Sequence, residues 1–129
     1  MSLFDIIHVE DGPVLRNTLE KIFKDMGFAV YGLGYLDKLK TALAEGHRAR
    51  LYITDGNFPK RKGDEPSYLA ETAILEIRKA DPQARIVVFS LYGPAKNSAD
   101  KHGIPYFNKA QGPQLADYVS RELSSKQPQ

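Results

Sequence analysis

Apolar residues along the chain group into five short runs that have the composition of β-strands. The run at 85–89 is typical, because Ile, Val and Phe follow one another and the polar residue Ser90 comes directly after them. Most of the runs are too short to form helices. They predict strands at residues 4–9, 29–33, 50–54, 85–89 and 105–108.

Between these runs, apolar residues recur at the spacing of one helix face. The clearest pattern covers residues 13–26, where Leu15 and Leu19 belong to a single apolar stripe. Pro13 suits the first turn of a helix, and Gly27 suits its end. The same spacing predicts four more helices, at residues 37–44, 67–80, 94–101 and 113–123.

Strands and helices alternate five times along the chain. This alternation predicts a doubly wound α/β fold, in which right-handed crossovers place helices on both faces of a five-stranded parallel sheet. We expect the flavodoxin-like strand order 2-1-3-4-5. One domain is predicted over residues 4–123, followed by a polar tail or linker stub at 124–129.

Composition narrows the possible functions. The chain has no cysteine, which excludes disulfides, thiolate metal sites and a cysteine nucleophile. No apolar run approaches the roughly 18 residues that span a bilayer, so we expect a soluble, cytoplasmic protein without membrane contact. Lys and Arg number 18 against 16 Asp and Glu, and the basic residues are scattered, so direct nucleic-acid binding is not expected.

Polar residues follow four of the predicted strands. Glu10 and Asp11 follow the first, Asp55 the third, Ser90 the fourth and Lys109 the fifth. Ligands of open α/β sheets bind at the carboxyl ends of the strands, where these side chains are expected to meet. Three carboxylates, a hydroxyl and an ammonium at one edge indicate a cation site beside a nucleophile.

The chemistry of this group follows from charge. Clustered carboxylates repel one another, and their hard oxygen atoms suit Mg²⁺, which keeps some positions for water and phosphate. An aspartate such as Asp55 can attack phosphorus if the incoming negative charge is neutralised. Mg²⁺ and Lys109 can supply that neutralisation, and Ser90 can donate a hydrogen bond to a phosphoryl oxygen.

Four segments carry a resemblance to a known family. They are HVED at 8–11, ITDGNFPKRKG at 53–63, VVFS at 87–90 and PYFNKA at 105–110. In this order and spacing they resemble the receiver domains of two-component response regulators, and the similarity covers nearly the whole of 4–123. The resemblance implies a domain that catalyses only its own phosphorylation and dephosphorylation, and that is therefore not classed as an enzyme. No organic cofactor is expected.

The resemblance also assigns roles to particular residues. It implies phosphorylation by a sensor histidine kinase or a phosphotransfer protein, and output to a downstream effector protein or domain. The implied roles are the phosphoacceptor Asp55; Mg²⁺ ligation by Asp11, Asp55 and the backbone carbonyl of Asn57, with Glu10 acting through water; phosphate binding by Lys109; and switching by Ser90 and Tyr106.

Two residues depart from the family pattern. Leu91 is bulky where a small residue usually follows the switch hydroxyl, and it can narrow the path to Asp55. Ala110 replaces the proline that usually follows the lysine through a cis peptide bond. We expect the Lys109–Ala110 bond to remain cis, because cis bonds without proline persist at functional sites.

Other interpretations remain open at this point. The alternative function is a pseudo-receiver, a phosphorylation-independent protein-interaction module with the same fold, which Leu91 and Ala110 favour. Asp55-Gly56 can also be a simple turn. A flavin binder or an aspartyl phosphohydrolase fits poorly, because Glu10-Asp11 would repel a flavin phosphate and Asn57 stands where the hydrolase needs a second acid.

Two motifs are left without a role. The basic loop Lys60-Arg61-Lys62 is typical of a solvated turn, although its position next to Asp55 suits partner docking. Gly32-Leu33-Gly34 begins like a dinucleotide fingerprint, but it lacks the third glycine and follows the second strand rather than the first.

Overall fold

The computed structural model describes residues 3–124 and contains the predicted five-stranded parallel sheet. The strands of this sheet are β1 (Leu3–Val9), β2 (Val30–Leu33), β3 (Arg48–Thr54), β6 (Ile86–Ser90) and β7 (Tyr106–Asn108), and a separate small pair is formed by β4 (Asn57–Phe58) and β5 (Ser67–Tyr68). The strand order of the sheet is β2-β1-β3-β6-β7, which is the predicted order 2-1-3-4-5 because the small pair takes two numbers.

All five predicted helices are present. They begin and end close to the residues that the apolar spacing indicates, with one exception described below. Pro13 occupies the first turn of α1, as expected from its fixed φ and missing N–H. The helices are α1 (Pro13–Asp25), α2 (Leu36–Ala44), α3 (Ala70–Ala80), α4 (Gly93–Lys101) and α5 (Gly112–Ser124).

The central strands are buried on both faces, so two cores form. Ile6 and Leu51 face the core under α1 and α5, which contribute Leu19, Phe23 and Val119. The alternate strand residues face a second core under α2, α3 and α4. Burying each large aliphatic side chain contributes roughly 1.5–3 kcal/mol, so both layers stabilise the sheet that positions the site. The predicted two-faced helix packing is confirmed.

The third helix begins at Ala70 rather than at the predicted Ser67. Ser67 and Tyr68 instead form β5, which pairs in antiparallel fashion with Asn57 and Phe58 of β4. Apolar spacing alone did not reveal this, because the strand partners belong to a segment that lies outside the main sheet. The pairing brings Tyr68 beside Asn57, the residue after the loop that holds Asp55.

The segment between β4 and β5 is fastened to helices on two sides. The carbonyl oxygens of Pro59 and Lys60 accept hydrogen bonds from the first N–H groups of α2, at 2.9 and 2.8 Å. Such N–H groups have no partner within their own helix. On the other side, the Tyr68 hydroxyl donates to the Pro94 carbonyl at 3.0 Å and contacts the Ser98 hydroxyl, both in α4.

Every helix within residues 3–124 is too short or too polar to cross a bilayer. The predicted polar tail falls almost wholly on residues 125–129, which lie outside the described part of the chain.

Candidate functional site

The sheet topology brings the predicted polar residues to one edge. Val9 of β1 lies opposite Thr54 of β3 in parallel register, so the residues that follow them, Glu10 and Asp55, leave the sheet side by side. In the same way Ser90 pairs with Asn108, which precedes Lys109. Residues far apart in sequence therefore share one site at the carboxyl ends of the strands.

Asp55 is almost fully buried at this edge, with 5% of its surface exposed. Its Oδ1 atom accepts a hydrogen bond from the Gly56 N–H at 2.6 Å, and its Oδ2 atom accepts one from the Lys109 ammonium at 2.8 Å. A Cβ at Gly56 would lie 2.5 Å from the Ala95 side chain and 2.9 Å from the Ser90 hydroxyl. Glycine is thus required beside Asp55, which argues against a mere surface turn.

Lys109 connects two of the three acids. Its ammonium donates to Glu10 Oε1 at 2.7 Å as well as to Asp55. The other oxygen of Glu10 accepts from the Gly12 N–H at 2.9 Å. Buried charges are tolerated when they are paired and hydrogen-bonded in this way. The predicted convergence of Lys109 with the acids is present in the structure.

The peptide bond between Lys109 and Ala110 is trans, so the prediction of a cis bond is wrong. Residues 109–111 form a 3₁₀ turn closed by a reciprocal cap. The Asn108 side chain accepts from the Ala110 N–H at 2.8 Å, and the Gln111 side chain accepts from the Asn108 N–H at 2.9 Å. This cap orients the backbone, and Lys109 reaches both carboxylates without a cis bond.

Burial and pairing shift the pKa values of the site. Burial is the main cause that raises the pKa of Glu10; the hydrogen bond from Lys109 opposes the rise and the negative charge of Asp55 adds to it. Burial alone would lower the pKa of Lys109, but its hydrogen bonds to Asp55 and Glu10 outweigh burial and raise it. Lys109 therefore carries its positive charge at neutral pH.

Glu10, Asp11 and Asp55 form an acidic group: one carboxylate oxygen from each lies within 4.8 Å of the other two. Within residues 3–124, Asp11 has no ion-pair partner, and it is only partly buried. By formal charge, three carboxylates and one ammonium leave two net negative charges. An all-oxygen group with that charge fits a hard divalent cation such as Mg²⁺.

Ser90 and Tyr106 are joined to each other through the backbone. The Ser90 hydroxyl accepts from the Tyr92 N–H at 3.0 Å, and the Tyr106 hydroxyl donates to the Ser90 carbonyl at 2.7 Å. Ser90 also lines an open cavity of about 290 Å³ above Asp55. Leu91 lines the mouth of this cavity with 69% of its surface exposed. The remaining lining residues are Asn57, Tyr92 and Lys109.

Sequence reasoning missed Arg16, which lies in α1 but contributes to this edge. Its guanidinium donates to the carbonyl oxygens of Glu10 at 2.7 Å and Asp11 at 3.3 Å. It therefore holds the loop that presents both acids. The only sequence signal was an arginine shortly after the acidic pair, which is too common a pattern to be interpreted alone.

Comparisons with solved structures support the fold described above. The structure is similar to a response regulator receiver protein from Sinorhizobium medicae WSM419, with 21% identity, a TM-score of 0.73 and 95% of each chain covered. It is also similar to a receiver domain protein from Methanospirillum hungatei JF-1, with 16% identity, a TM-score of 0.76, and 97% and 95% of the two chains covered. No protein-family model and no curated protein matches the sequence.

A third similar structure was solved with a metal. Response regulator TrrA from Thermotoga maritima, in complex with Mg²⁺-BeF, shares 19% identity and a TM-score of 0.73, over 95% of this chain and 99% of that one. The fold of this chain is therefore that of response-regulator receiver domains. The resemblance found in the sequence is confirmed at the level of the fold.

Proposed function

We propose that this chain is a phosphorylation-dependent signalling switch that accepts a phosphoryl group on Asp55. One observation carries the proposal: the Lys109 ammonium joins the buried Asp55 and Glu10, at 2.8 and 2.7 Å, on a receiver-domain fold. A nucleophilic carboxylate, a fixed cation and further acids for a metal are the groups that phosphoryl transfer to aspartate requires.

The transfer itself exchanges one bond for another. A carboxylate oxygen of Asp55 attacks the phosphorus of a phosphohistidine, and a new O–P bond forms. The P–N bond to the donor histidine breaks, and the released imidazole nitrogen keeps the electron pair and takes a proton from solvent. The cavity above Asp55 leaves room for the phosphoryl group beside Ser90 and Lys109.

We propose Mg²⁺ as the cation of this site, because three carboxylates of the described residues come within 4.8 Å of one another. Asp11, Asp55 and the backbone carbonyl of Asn57 would hold it directly, and Glu10 through water. When bound, Mg²⁺ supplies positive charge to the phosphoryl oxygens. Lys109 stays protonated because its hydrogen bonds raise its pKa. Its ammonium can then move from Asp55 to a phosphoryl oxygen.

Ser90 and Tyr106 would transmit the conformational change that follows phosphorylation of Asp55. The Ser90 hydroxyl accepts from Tyr92, which leaves its own proton to donate to a phosphoryl oxygen. Any movement of Ser90 alters the hydrogen bond from Tyr106 to its carbonyl, and Tyr106 lies in β7. The proposed donor is a sensor histidine kinase or a phosphotransfer protein, and the proposed recipient of the signal is an effector protein or domain.

The proposal is tested by intact mass spectrometry after incubation with acetyl phosphate and Mg²⁺. The wild type should gain the mass of one phosphoryl group, and Asp55→Asn should gain none. Asp64→Asn is the matched control, because Asp64 lies outside the acidic group and should leave the adduct unchanged. A full adduct on Asp55→Asn would place the acceptor elsewhere and refute the assignment.

Leu91 favours a second candidate, the pseudo-receiver, because its side chain lines the mouth above Asp55. If Leu91 blocks access, Leu91→Ala should gain the adduct that the wild type lacks. Absence of an adduct from both proteins would support a constitutive interaction module. The position of Lys109 argues for a receiver domain that can be phosphorylated, because its ammonium contacts Glu10 and Asp55.

A further inference from the structure

A second, larger cavity is lined by Asp11 and by none of the residues that line the cavity above Asp55. It has a volume of about 440 Å³ and opens between the end of β2, the start of α2 and the loop after β4. Pockets of roughly 300–1,000 Å³ are the usual size for small-molecule ligands. The cavity holds on the order of a dozen waters, and is thus much larger than a single inorganic ion.

Basic side chains dominate the rim of this cavity. Lys38 of α2 and Lys62 of the basic loop line it, both exposed, and neither forms an ion pair with any described residue. Of the two acids in the lining, Asp64 is paired with Arg61 at 3.2 Å, so its charge is already compensated. Asp11 is the remaining acid.

Arg16 adds a third cation that the backbone holds in place. Its hydrogen bonds to the backbone carbonyls of Glu10 and Asp11 orient the guanidinium. Arg16 lines the cavity and forms no ion pair with a carboxylate among residues 3–124. A Cβ at Gly34 would come within 3.1 Å of that guanidinium, so Gly34 leaves room for Arg16. A Cβ at Gly32 would meet Glu20 Oε1 and His8 Nε2 first and the Arg16 side chain next, so Gly32 keeps space open beside all three side chains.

We propose that this cavity binds a small organic phosphate. The phosphate group lies against Lys38 and Lys62, with Arg16 behind them, and the organic part lies against Tyr35 and Pro59, which also line the cavity. Three cations outnumber the two acids that have no charged partner in the described part of the chain, which are Asp11 in the lining and Glu20 beside Gly32, so the charge favours an anion. The volume beyond the phosphate leaves space for a larger organic group. Both sequence motifs without a role, the basic loop and the glycine pair, contribute to this one site.

The first experiment follows backbone amide NMR signals while inorganic phosphate, AMP or adenosine is added to the Asp55→Asn variant in EDTA. That variant lacks the proposed phosphoacceptor, and EDTA removes divalent metal, so binding at the acidic site does not interfere. AMP should shift the Gly32, Gly34 and Gly63 amides in a saturable way and bind more tightly than phosphate. Absence of saturable shifts, or equal affinity for phosphate and AMP, would overturn the proposal.

Substitutions of opposite sign test the charges. The double variant Lys38→Ala/Lys62→Ala should weaken AMP binding at least tenfold. Asp11→Asn should tighten it severalfold, because it removes the carboxylate of the lining that has no ion-pair partner among residues 3–124. The control Lys40→Ala/Lys79→Ala removes two lysines that line a different depression, between α2 and α3, and should change affinity less than twofold. Equal loss in control and test variants, or weaker binding by Asp11→Asn, would overturn the proposal.

These results are separable from the proposed function. The adduct on Asp55 is read by mass in the presence of Mg²⁺, whereas AMP binding is read by NMR in a protein that cannot form the adduct. Either property can fail while the other is observed.

Discussion

His8 and Glu10 are both buried near the end of β1, but they differ in the hydrogen-bond partners that surround them. Glu10 has both carboxylate oxygens bonded, one to Lys109 and one to the Gly12 N–H. His8 is 1% exposed, and neither of its ring nitrogens has a hydrogen-bond partner among the described residues. The nearest carboxylate, that of Glu20, lies 4.0 Å from Nε2.

The comparison shows what a partner adds to a buried group. Burial lowers the pKa of His8 to about 4, with the nearby Arg16 charge as a second cause, so the ring is neutral at pH 7. Burial likewise favours the neutral form of Glu10, but the Lys109 ammonium opposes it. Glu10 thus has a hydrogen-bonded cation beside it, whereas His8 has no hydrogen-bond partner among the described residues and stays neutral.

Removing Lys109 should leave its two carboxylate partners buried without an opposite charge, and we expect this substitution to have the largest effect on stability. Lys109→Met leaves Glu10 and Asp55 buried without their cation, which costs about 3–5 kcal/mol of unfolding free energy at pH 7 in the absence of metal. Urea unfolding in EDTA measures it. Lys96→Met is the control, since Lys96 pairs with Asp100 on the surface and should matter little. Equal losses would contradict the pairing argument.

Acid should destabilise the protein through His8. Its pKa is about 4 in the folded chain and near 6.5 unfolded, so the unfolded state binds more protons between these values. The contribution is complete above pH 6.5, falls as the pH drops to 4, and amounts to about 3 kcal/mol. Unfolding curves across this range should show a shallower pH slope for His8→Leu than for the wild type. Identical slopes would show that His8 is not the group responsible.

Binding of a divalent cation to the acidic group should stabilise the folded protein. Mg²⁺ at 100 times its dissociation constant would add about 2.7 kcal/mol, if it binds only the folded protein. The melting temperature should therefore rise in millimolar Mg²⁺ relative to EDTA, and Asp11→Ala should lose most of the rise. Asp25→Ala is the control, because Asp25 pairs with Lys21 on the surface of α1. If Mg²⁺ left the melting temperatures of both the wild type and Asp11→Ala unchanged, the proposed cation site would be refuted.

The smallest expected effect separates the two causes that act on His8. Arg16→Met removes the positive charge, so the pKa of His8 should rise, yet remain below its ordinary value because burial is the larger cause. The chemical shift of the His8 ring protons against pH reports this directly. A return to an ordinary pKa would reverse the order of the two causes.

Much of the fold was predictable because its signals are local. The apolar runs located the five main strands, and the charged or polar residue after four of them located Glu10, Asp11, Asp55, Ser90 and Lys109 at one edge. The parallel topology then brought these residues together without any further information from the sequence.

What was missed depends on contacts between distant segments. The pairing of Ser67 and Tyr68 with β4 replaces the first turn of a helix, and no local propensity reveals its partner. The bond between Lys109 and Ala110 is trans, which is the ordinary state of a peptide bond without proline, whereas the family pattern suggested a cis bond. Arg16 has a role only because Glu10 and Asp11 present their carbonyls toward α1.

The fastening of the segment between β4 and β5 has a consequence for cleavage. This exposed segment contains Lys60, Arg61 and Lys62, which trypsin recognises, yet its two ends are bonded to α2 through Pro59 and Lys60 and to α4 through Tyr68. A protease requires an extended stretch on each side of the bond it cuts, so the anchors slow the attack. If a cut is made after Lys62, the same anchors hold both fragments in place, and the nicked protein should migrate as an intact domain until it is denatured.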